Sequence, residues 1–414
     1  MTSRRAELVA VGSELLEPWR TDSNGSYLSR RLGEIGVALR FRTIVGDVLE
    51  DLRDVFRVAL GRSDLIVVTG GLGPTIDDLT REALASLLDL PRELDEAIAR
   101  RIEERFGRHG LPMPPQNRRQ AMVPRGAVAL PNRVGTAPGL LLRAGGALVA
   151  LLPGVPSEMR TMVEEQLLPR LGPTGERFVY RVLKIAGLPE SEVDRRLEAV
   201  ARGAGEVAWT ILAAPGQVEI HLRERVAEGR PAAGIERLER EIETVLREDL
   251  FGRDDEALES VVGELLKRRG ATLGIAESLT GGAIGARITR VPGASRYFKG
   301  SVVCYSDEGK VDLLGVRRET LAAHSAVSPE AAREMADGVC ARLGATWGLA
   351  ATGYAGPEGG GPDKPPGTVC LALSGPPASR ARTLSVPGDR DTVRTRTVQS
   401  ALDLLRRALL ETVP

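Results

Sequence analysis

Three short apolar runs, AELVAVG at residues 6–12, DLIVVTGG at 64–71 and ALVALLP at 147–153, alternate with stretches of helical periodicity such as SNGSYLSRRLGEIG and DLRDVFRVALGR. Val- and Leu-rich runs of this length read as buried strands, and their alternation with helices admits few architectures. The expected one is a parallel sheet with helices on both faces, a three-layer α/β domain.

A chain of 414 residues is too long for one ordinary core, so two or three domains are expected. The Pro/Gly cluster LLPRLGPTGER at 167–177 marks a first boundary. Residues 1–168 form the α/β domain. From 169 to 252 the pattern changes to a small α+β module, with the strand FVYRVLKIAG, the helix ESEVDRRLEAVARG and the alternating AWTILAAPGQVEIHLRE. A third domain, α/β again, occupies 253–414, opening with the helix DEALESVVGELLKRRG and the strand ATLGIAES.

Lys+Arg and Asp+Glu number 56 each, which gives no bulk electrostatic reason to bind nucleic acid or an anionic membrane. No run approaches the ~20 apolar residues that cross a bilayer, and no leader pattern precedes the first strand, so a cytoplasmic location is expected. Cys304, Cys340 and Cys370 form no close pair and read as small buried residues. Basic residues are nearly all Arg, with only five Lys. Arg keeps its proton in a protein whereas a buried Lys can lose it, which singles out Lys310 and Lys364.

VVTGGLGPTIDDLTREAL reads as strand, glycine turn and helix, with Thr75 or Asp77 suited to N-capping. Glycines let backbone N–H groups approach a phosphate at a helix N-terminus, though a tight turn alone also demands them. Asp77 and Asp78 suit a divalent ion such as Mg²⁺, which takes one or two carboxylates plus substrate oxygens; one of them would suffice as a helix cap.

In the last third, Ser278 lies between the strand ATLGIA and the helix AIGARITR. That position suits an N-cap, an anion or an oxyanion alike. As a nucleophile the serine needs a base. His324 lies in a segment linking helices and reads as structural, whereas Tyr305 and Lys310 in VVCYSDEGKVDLLGV offer a Tyr/Lys alternative to histidine. For Lys310 to act, its pKa must fall below ~10.4 through desolvation or a nearby cation. The loop of GLAATGYAGPEGGGPDKPPGTV can wrap a phosphate or carboxamide with backbone groups, or serve only as a surface hairpin. Arg390 and Arg394, four apart at a helix start, can clamp a phosphate.

Several motifs occur in order. VAVGSELL, TDSNGSYLSRRLGEIG, TGGLGPTIDDLT, NRVGTAPG and LPGVPSEM resemble the molybdopterin-binding-type domain of the competence- and damage-inducible CinA family. AESLTGG, YSDEGK with LLGV, TGYAGPEGG with KPPGT, and GDRDTVR resemble that family's nicotinamide mononucleotide amidohydrolase domain.

The resemblance implies a bifunctional enzyme of pyridine-nucleotide recycling. One site converts nicotinamide mononucleotide to the nicotinate nucleotide and ammonia without a metal. The other splits ADP-ribose to AMP and ribose 5-phosphate with Mg, Co or Mn. It further implies Ser278 as nucleophile, Lys310 as base, Tyr305 as relay and Thr352 as substrate or oxyanion contact. Glu277, Thr280, Gly281, Gly282, Gly353, Ala355, Gly356, Arg390 and Arg394 surround that substrate. The implied nucleotide site comprises Gly12, Glu14, Asp22, Asn24, Asp47, Gly70, Gly71, Gly73, Pro74 and Thr75, then Gly135, Pro138 and Glu158, with Asp77 and Asp78 at the metal. Leu279 stands where many members carry Cys. The middle module resembles a KH-type domain without the basic GXXG loop that clamps nucleic acid, so a spacer or dimer contact is expected. A homodimer is implied, and no membrane or nucleic-acid partner is expected. A different class stays open, a nucleotide- or pterin-binding scaffold in competence or DNA-damage response.

Overall fold

The computed structural model describes residues 5–18, 20–376 and 379–411. They divide into two compact units, Met1–Val179 with Arg225–Ala232, and Tyr180–Glu224 with Ala233–Pro414.

The first unit runs β1 (Arg5–Val11), α1 (Ser23–Glu34), β2 (Ala38–Val45), α2 (Leu49–Arg62), β3 (Leu65–Thr69) and α3 (Thr80–Leu87). It continues with β4 (Arg92–Leu94), α4 (Glu96–Arg108), β5 (Met122–Pro124), β6 (Val128–Leu130), β7 (Gly139–Ala144), β8 (Ala147–Leu152), α5 (Pro156–Met162) and α6 (Leu168–Leu171). The main sheet has the order β2-β1-β3-β8-β7-β6. The first four strands are parallel, but β7 and β6 return antiparallel. The sheet is therefore mixed, because the two-residue turn Gly145–Gly146 leaves no length for a crossover helix between β7 and β8.

Alternate residues of β1 enter different cores. Val9 and Val11 pack with α2 and α3, while Ala6 and Leu8 pack with α1 and α5. That two-faced burial explains the continuous apolar runs.

The middle stretch holds β9 (Glu176–Ile185), α7 (Glu190–Arg202), β10 (Ala208–Ala214), β11 (Gln217–Ala227), α8 (Ala233–Leu246) and β12 (Leu250–Arg253). Its sheet order is β10-β11-β9-β12. Then follow α9 (Leu258–Arg268), β13 (Leu273–Glu277), α10 (Ala283–Thr289), β14 (Phe298–Val303), α11 (Asp307–Leu314), α12 (Arg318–His324) and α13 (Pro329–Leu343). The chain ends with β15 (Trp347–Gly353), β16 (Thr368–Ser374), β17 (Arg380–Ser385) and α14 (Arg390–Glu411).

This last sheet, β14-β13-β15-β16-β17, is again mixed: β14, β13 and β15 are parallel, β16 and β17 antiparallel. One face packs on α9, α10 and α14, the other on α13. In both units, the carboxyl ends of the parallel strands carry the glycine turns. In open α/β sheets, ligands bind at that edge.

Candidate functional sites

After β3 the chain turns at Gly70 and Gly71, whose φ values are +102° and +65°. A Cβ on Gly70 would lie 2.1 Å from Val11 O, so only glycine closes this corner. Asp78 then organises the turn from within. Its Oδ1 accepts the Gly73 N–H at 2.7 Å, and its Oδ2 accepts the Thr75 N–H at 2.8 Å and the Thr75 hydroxyl. Neither Thr75 nor Asp77 caps α3, which begins at Thr80 without a side-chain cap. Asp77 is exposed, and a hydrogen bond from Thr75 holds its carboxyl below the ordinary range.

Arg81, which sequence reasoning passes over, lies 1% exposed beneath the same turn. It donates to Leu72 O at 3.1 Å and Gly73 O at 3.2 Å, and among the described residues it has no ion-pair partner. Burial lowers its pKa, while Glu82 and Asp78 oppose the shift. A buried cation beneath the turn favours an anion above it. Its only sequence trace is a basic residue on the helix that follows the glycine turn.

The cleft over this turn has a volume of about 610 Å³. It is lined by Gly12, Glu14, Asp47, Gly70, Gly71, Gly73, Pro74, Thr75, Asp77, Asp78 and Glu158. Asp22 and Asn24 fall instead in an adjoining side pocket, and Gly135 and Pro138 line a neighbouring cleft against α4.

Several of the acids have structural partners. Asp47 accepts from the Ser13 N–H at 2.7 Å and its hydroxyl at 2.9 Å. Asp22 caps α1 through the Gly25 N–H and pairs with Arg42 at 2.9 Å. Glu158 accepts from Asn132 at 2.6 Å. Among the described residues, no cluster of three or more His, Cys, Asp or Glu is arranged to cage a metal. Glu14 and Asp77 keep the least committed carboxylates, Glu14 standing 3.9 Å from Arg20. That set fits an ion shared with substrate phosphates rather than an all-protein cage.

The second site turns on what Ser278 is needed for. Its N–H donates to Ala351 O at 2.9 Å, which fixes it at the end of β13 beside β15. It does not cap α10. The N-cap is Gly282, in the left-handed region at φ +95° with no side-chain cap. The capping is done from beneath by Glu277, whose side chain is fully buried. Its carboxylate accepts the N–H groups of Ile284 and Gly285 at 3.0 and 2.9 Å and the Ser301 hydroxyl at 2.9 Å. Those three bonds remove Glu277 from the residues that could touch substrate. They also release the Ser278 hydroxyl, which has no hydrogen-bond partner among the described residues and is 7% exposed.

Lys310 lies on the first turns of α11, whose cap is Ser306 rather than any residue at 310. Its side chain is 3% exposed. Nζ is 3.7 Å from Asp307 Oδ1 and 3.5 Å from Ser306 O, both long contacts. Beside it Cys304 is buried, its N–H on Glu277 O at 2.8 Å. Burial pushes that thiol up to about 11 against the opposing charge of Lys310.

Tyr305 is 62% exposed, and its hydroxyl accepts from Arg390 Nη2 at 2.8 Å. Arg390 Nη1 donates to Gly356 O at 2.9 Å, and Arg394 donates to Thr280 O at 3.1 Å. Two arginines on one face of α14 thus gather Tyr305, the loop at Gly356 and the Ser278 turn. Gly281 and Gly282 keep that turn in the left-handed region, and Gly353 and Ala355 lead from β15 into the loop.

Thr352 is 1% exposed and gives its hydroxyl proton to Ala326 O at 2.9 Å, so it holds a neighbouring segment rather than offering a donor. Lys364 is fully engaged by acceptors. Its Nζ donates to His324 O, Ser325 Oγ and Val327 O at 2.8, 2.9 and 2.8 Å. His324 itself is exposed and is the last residue of α12 rather than part of a linking segment.

Residues 7–173 match the probable molybdopterin binding domain, 180–252 the KH domain of damage-inducible protein CinA, and 255–409 the CinA C-terminal domain. A putative competence-damage inducible protein of Symbiobacterium thermophilum is 46% identical, covering 98% of this chain and 99% of its own. The chain belongs to the CinA family. A CinA-like protein of Solibacter usitatus is 42% identical, with 98% of each chain covered. Among solved structures, the competence damage-inducible protein A of Klebsiella pneumoniae is 38% identical, covering 38% of this chain and 97% of its own at a TM-score of 0.37. The CinA fold is thus a molybdopterin-binding-like α/β domain, a KH-like middle domain and a CinA C-terminal domain. No helix among the described residues is long and apolar enough to cross a membrane.

Proposed function

We propose that this CinA-family chain carries two hydrolytic sites for pyridine-nucleotide breakdown products. The C-terminal site opens the carboxamide of nicotinamide mononucleotide. The observation that carries this reading is the division of labour between adjacent residues: Glu277 caps α10 and leaves the Ser278 hydroxyl unengaged, while Lys310 is buried on α11 and the neighbouring Cys304 N–H bonds Glu277 O.

An amine base acts through its uncharged form. Lys310 takes the Ser278 proton as Oγ bonds to the amide carbon, and the tetrahedral intermediate expels ammonia, which leaves with a proton returned by the amine. Water then attacks the ester, giving the nicotinate nucleotide and restoring the serine. Tyr305, whose hydroxyl accepts from Arg390, would relay a proton. The remaining Arg390 and Arg394 donors suit the phosphate.

The N-terminal site hydrolyses the diphosphate of ADP-ribose. A divalent ion held by Asp77 would neutralise the diphosphate. The glycine turn, backed by the buried Arg81, would lie against it, and Asp78 keeps that turn closed.

The test is product analysis by mass with both nucleotides, with and without divalent metal. Ser278→Ala and Lys310→Ala should each cut ammonia release by roughly 10²–10⁴-fold. Full activity in either variant refutes the assignment.

A further inference from the structure

A side pocket of about 100 Å³ adjoins the glycine-turn cleft and shares Val11, Glu14 and Gly154 with it. Asn24 lines it from the first turn of α1. The residue is 7% exposed, and its Nδ2 donates to Gly154 O at 2.7 Å, which fixes the orientation of the amide. Oδ1 is left buried with no hydrogen-bond partner among the described residues. An acceptor stranded in this way costs stability, so it is best explained by a donor that arrives from outside the chain.

The chemistry of that donor is narrowed by its surroundings. A phosphate has only acceptor oxygens to offer and would meet Asn24 Oδ1 and the Glu14 carboxylate. The N-terminus of α1 does not offset this, because Asp22 already caps it and is itself paired with Arg42. A cation would meet Arg20, which lines the same pocket and stands 3.9 Å from Glu14. A neutral group carrying O–H donors satisfies both acceptors at once, and adjacent hydroxyls on a sugar ring do so from a single ring edge.

We propose that this pocket binds a ribose hydroxyl, with Asn24 Oδ1 as its acceptor, so that the N-terminal site selects nucleotides by their sugar as well as their diphosphate. The inference rests on the nucleotide reading above. It makes Asn24 a specificity-determining residue, since a site built around a substrate hydroxyl is left with an unpaired buried group when that hydroxyl is missing.

Equilibrium binding of ADP-ribose to the full chain is compared with two deoxy forms, each lacking both the 2- and 3-hydroxyls of one ribose. One deoxy form should bind roughly 10–100-fold more weakly than ADP-ribose. In Asn24→Ala all three should bind alike. Asn24→Asp, which keeps an acceptor but loses the bond to Gly154, should still discriminate, separating recognition from a general loss of structure. Equal affinity of the unaltered chain for all three, or discrimination that survives in Asn24→Ala, overturns the proposal. Hydroxyl-dependent binding without hydrolysis removes the proposed reaction but not the pocket. Hydrolysis with indifference to the hydroxyl removes the pocket but not the reaction, and absence of any binding removes both.

Discussion

Glu277 shows how one buried carboxylate sets the chemistry of its neighbour. Three donors converge on it, two of them N–H groups at the start of α10. Glu277→Ala strands those donors inside the protein, and the expected loss is about 2–4 kcal/mol in urea-induced unfolding of the C-terminal unit. Amide hydrolysis should fall with it, because the Ser278 turn loses its anchor. A variant as stable as the parent would show that the cap is supplied by something else. Cys304 gives a pH-dependent counterpart. Burial raises its thiol from near 9 to about 11, so its contribution to stability is complete below pH 9 and lost as pH rises through 11. Across that window the chain should lose about 2–3 kcal/mol through this residue, and Cys304→Ala should flatten the decline. Cys340 and Cys370 are raised by burial as well and keep part of the slope.

At the scale of turns and loops, two adjacent aspartates do different work. Asp78 binds the backbone of its own turn, whereas Asp77 stands exposed at the cleft. In the proposed diphosphate reaction, Asp77→Ala should raise the Mn²⁺ concentration needed for half activity, while Asp78→Ala should lose activity that added Mn²⁺ does not restore. The reverse pattern would exchange their roles. The glycine-rich loop before β16 depends on Lys364, whose tetrahedral Nζ meets three acceptors from residues 324–327. Ser325 there is held at φ +68°. Lys364→Arg replaces that centre with a planar fork. It should therefore behave like Lys364→Ala, lowering the melting temperature by several degrees and slowing amide hydrolysis.

These elements also mark what the sequence conveys and what it withholds. Strands β1, β3, β8 and β13 are legible because burial on both faces leaves continuous apolar runs, and the glycine turns because positive φ admits little else. The antiparallel β7 and β16 escape that reading, since buried returning strands carry the same apolar signal as parallel ones. Glu277, Arg81 and Lys364 escape it for another reason. A charged residue in the sequence gives no sign of whether it faces solvent, a helix N-terminus or a cluster of carbonyls.

At the scale of the molecule, the two candidate sites lie in separate compact units, each with its own hydrophobic clusters. One site is built around carboxylates and a glycine turn, the other around a serine and a buried amine, so they should fail under different insults. Chelation by EDTA should abolish ADP-ribose hydrolysis and leave ammonia release from nicotinamide mononucleotide within about twofold of its starting rate. Ser278→Ala should do the opposite. Both rates are measured on the full chain in one preparation, so a change common to both reports unfolding rather than chemistry. Loss of both activities on chelation, with the circular dichroism spectrum unchanged, would mean that a metal also serves the serine site, and the amine would then lose its claim to be the base.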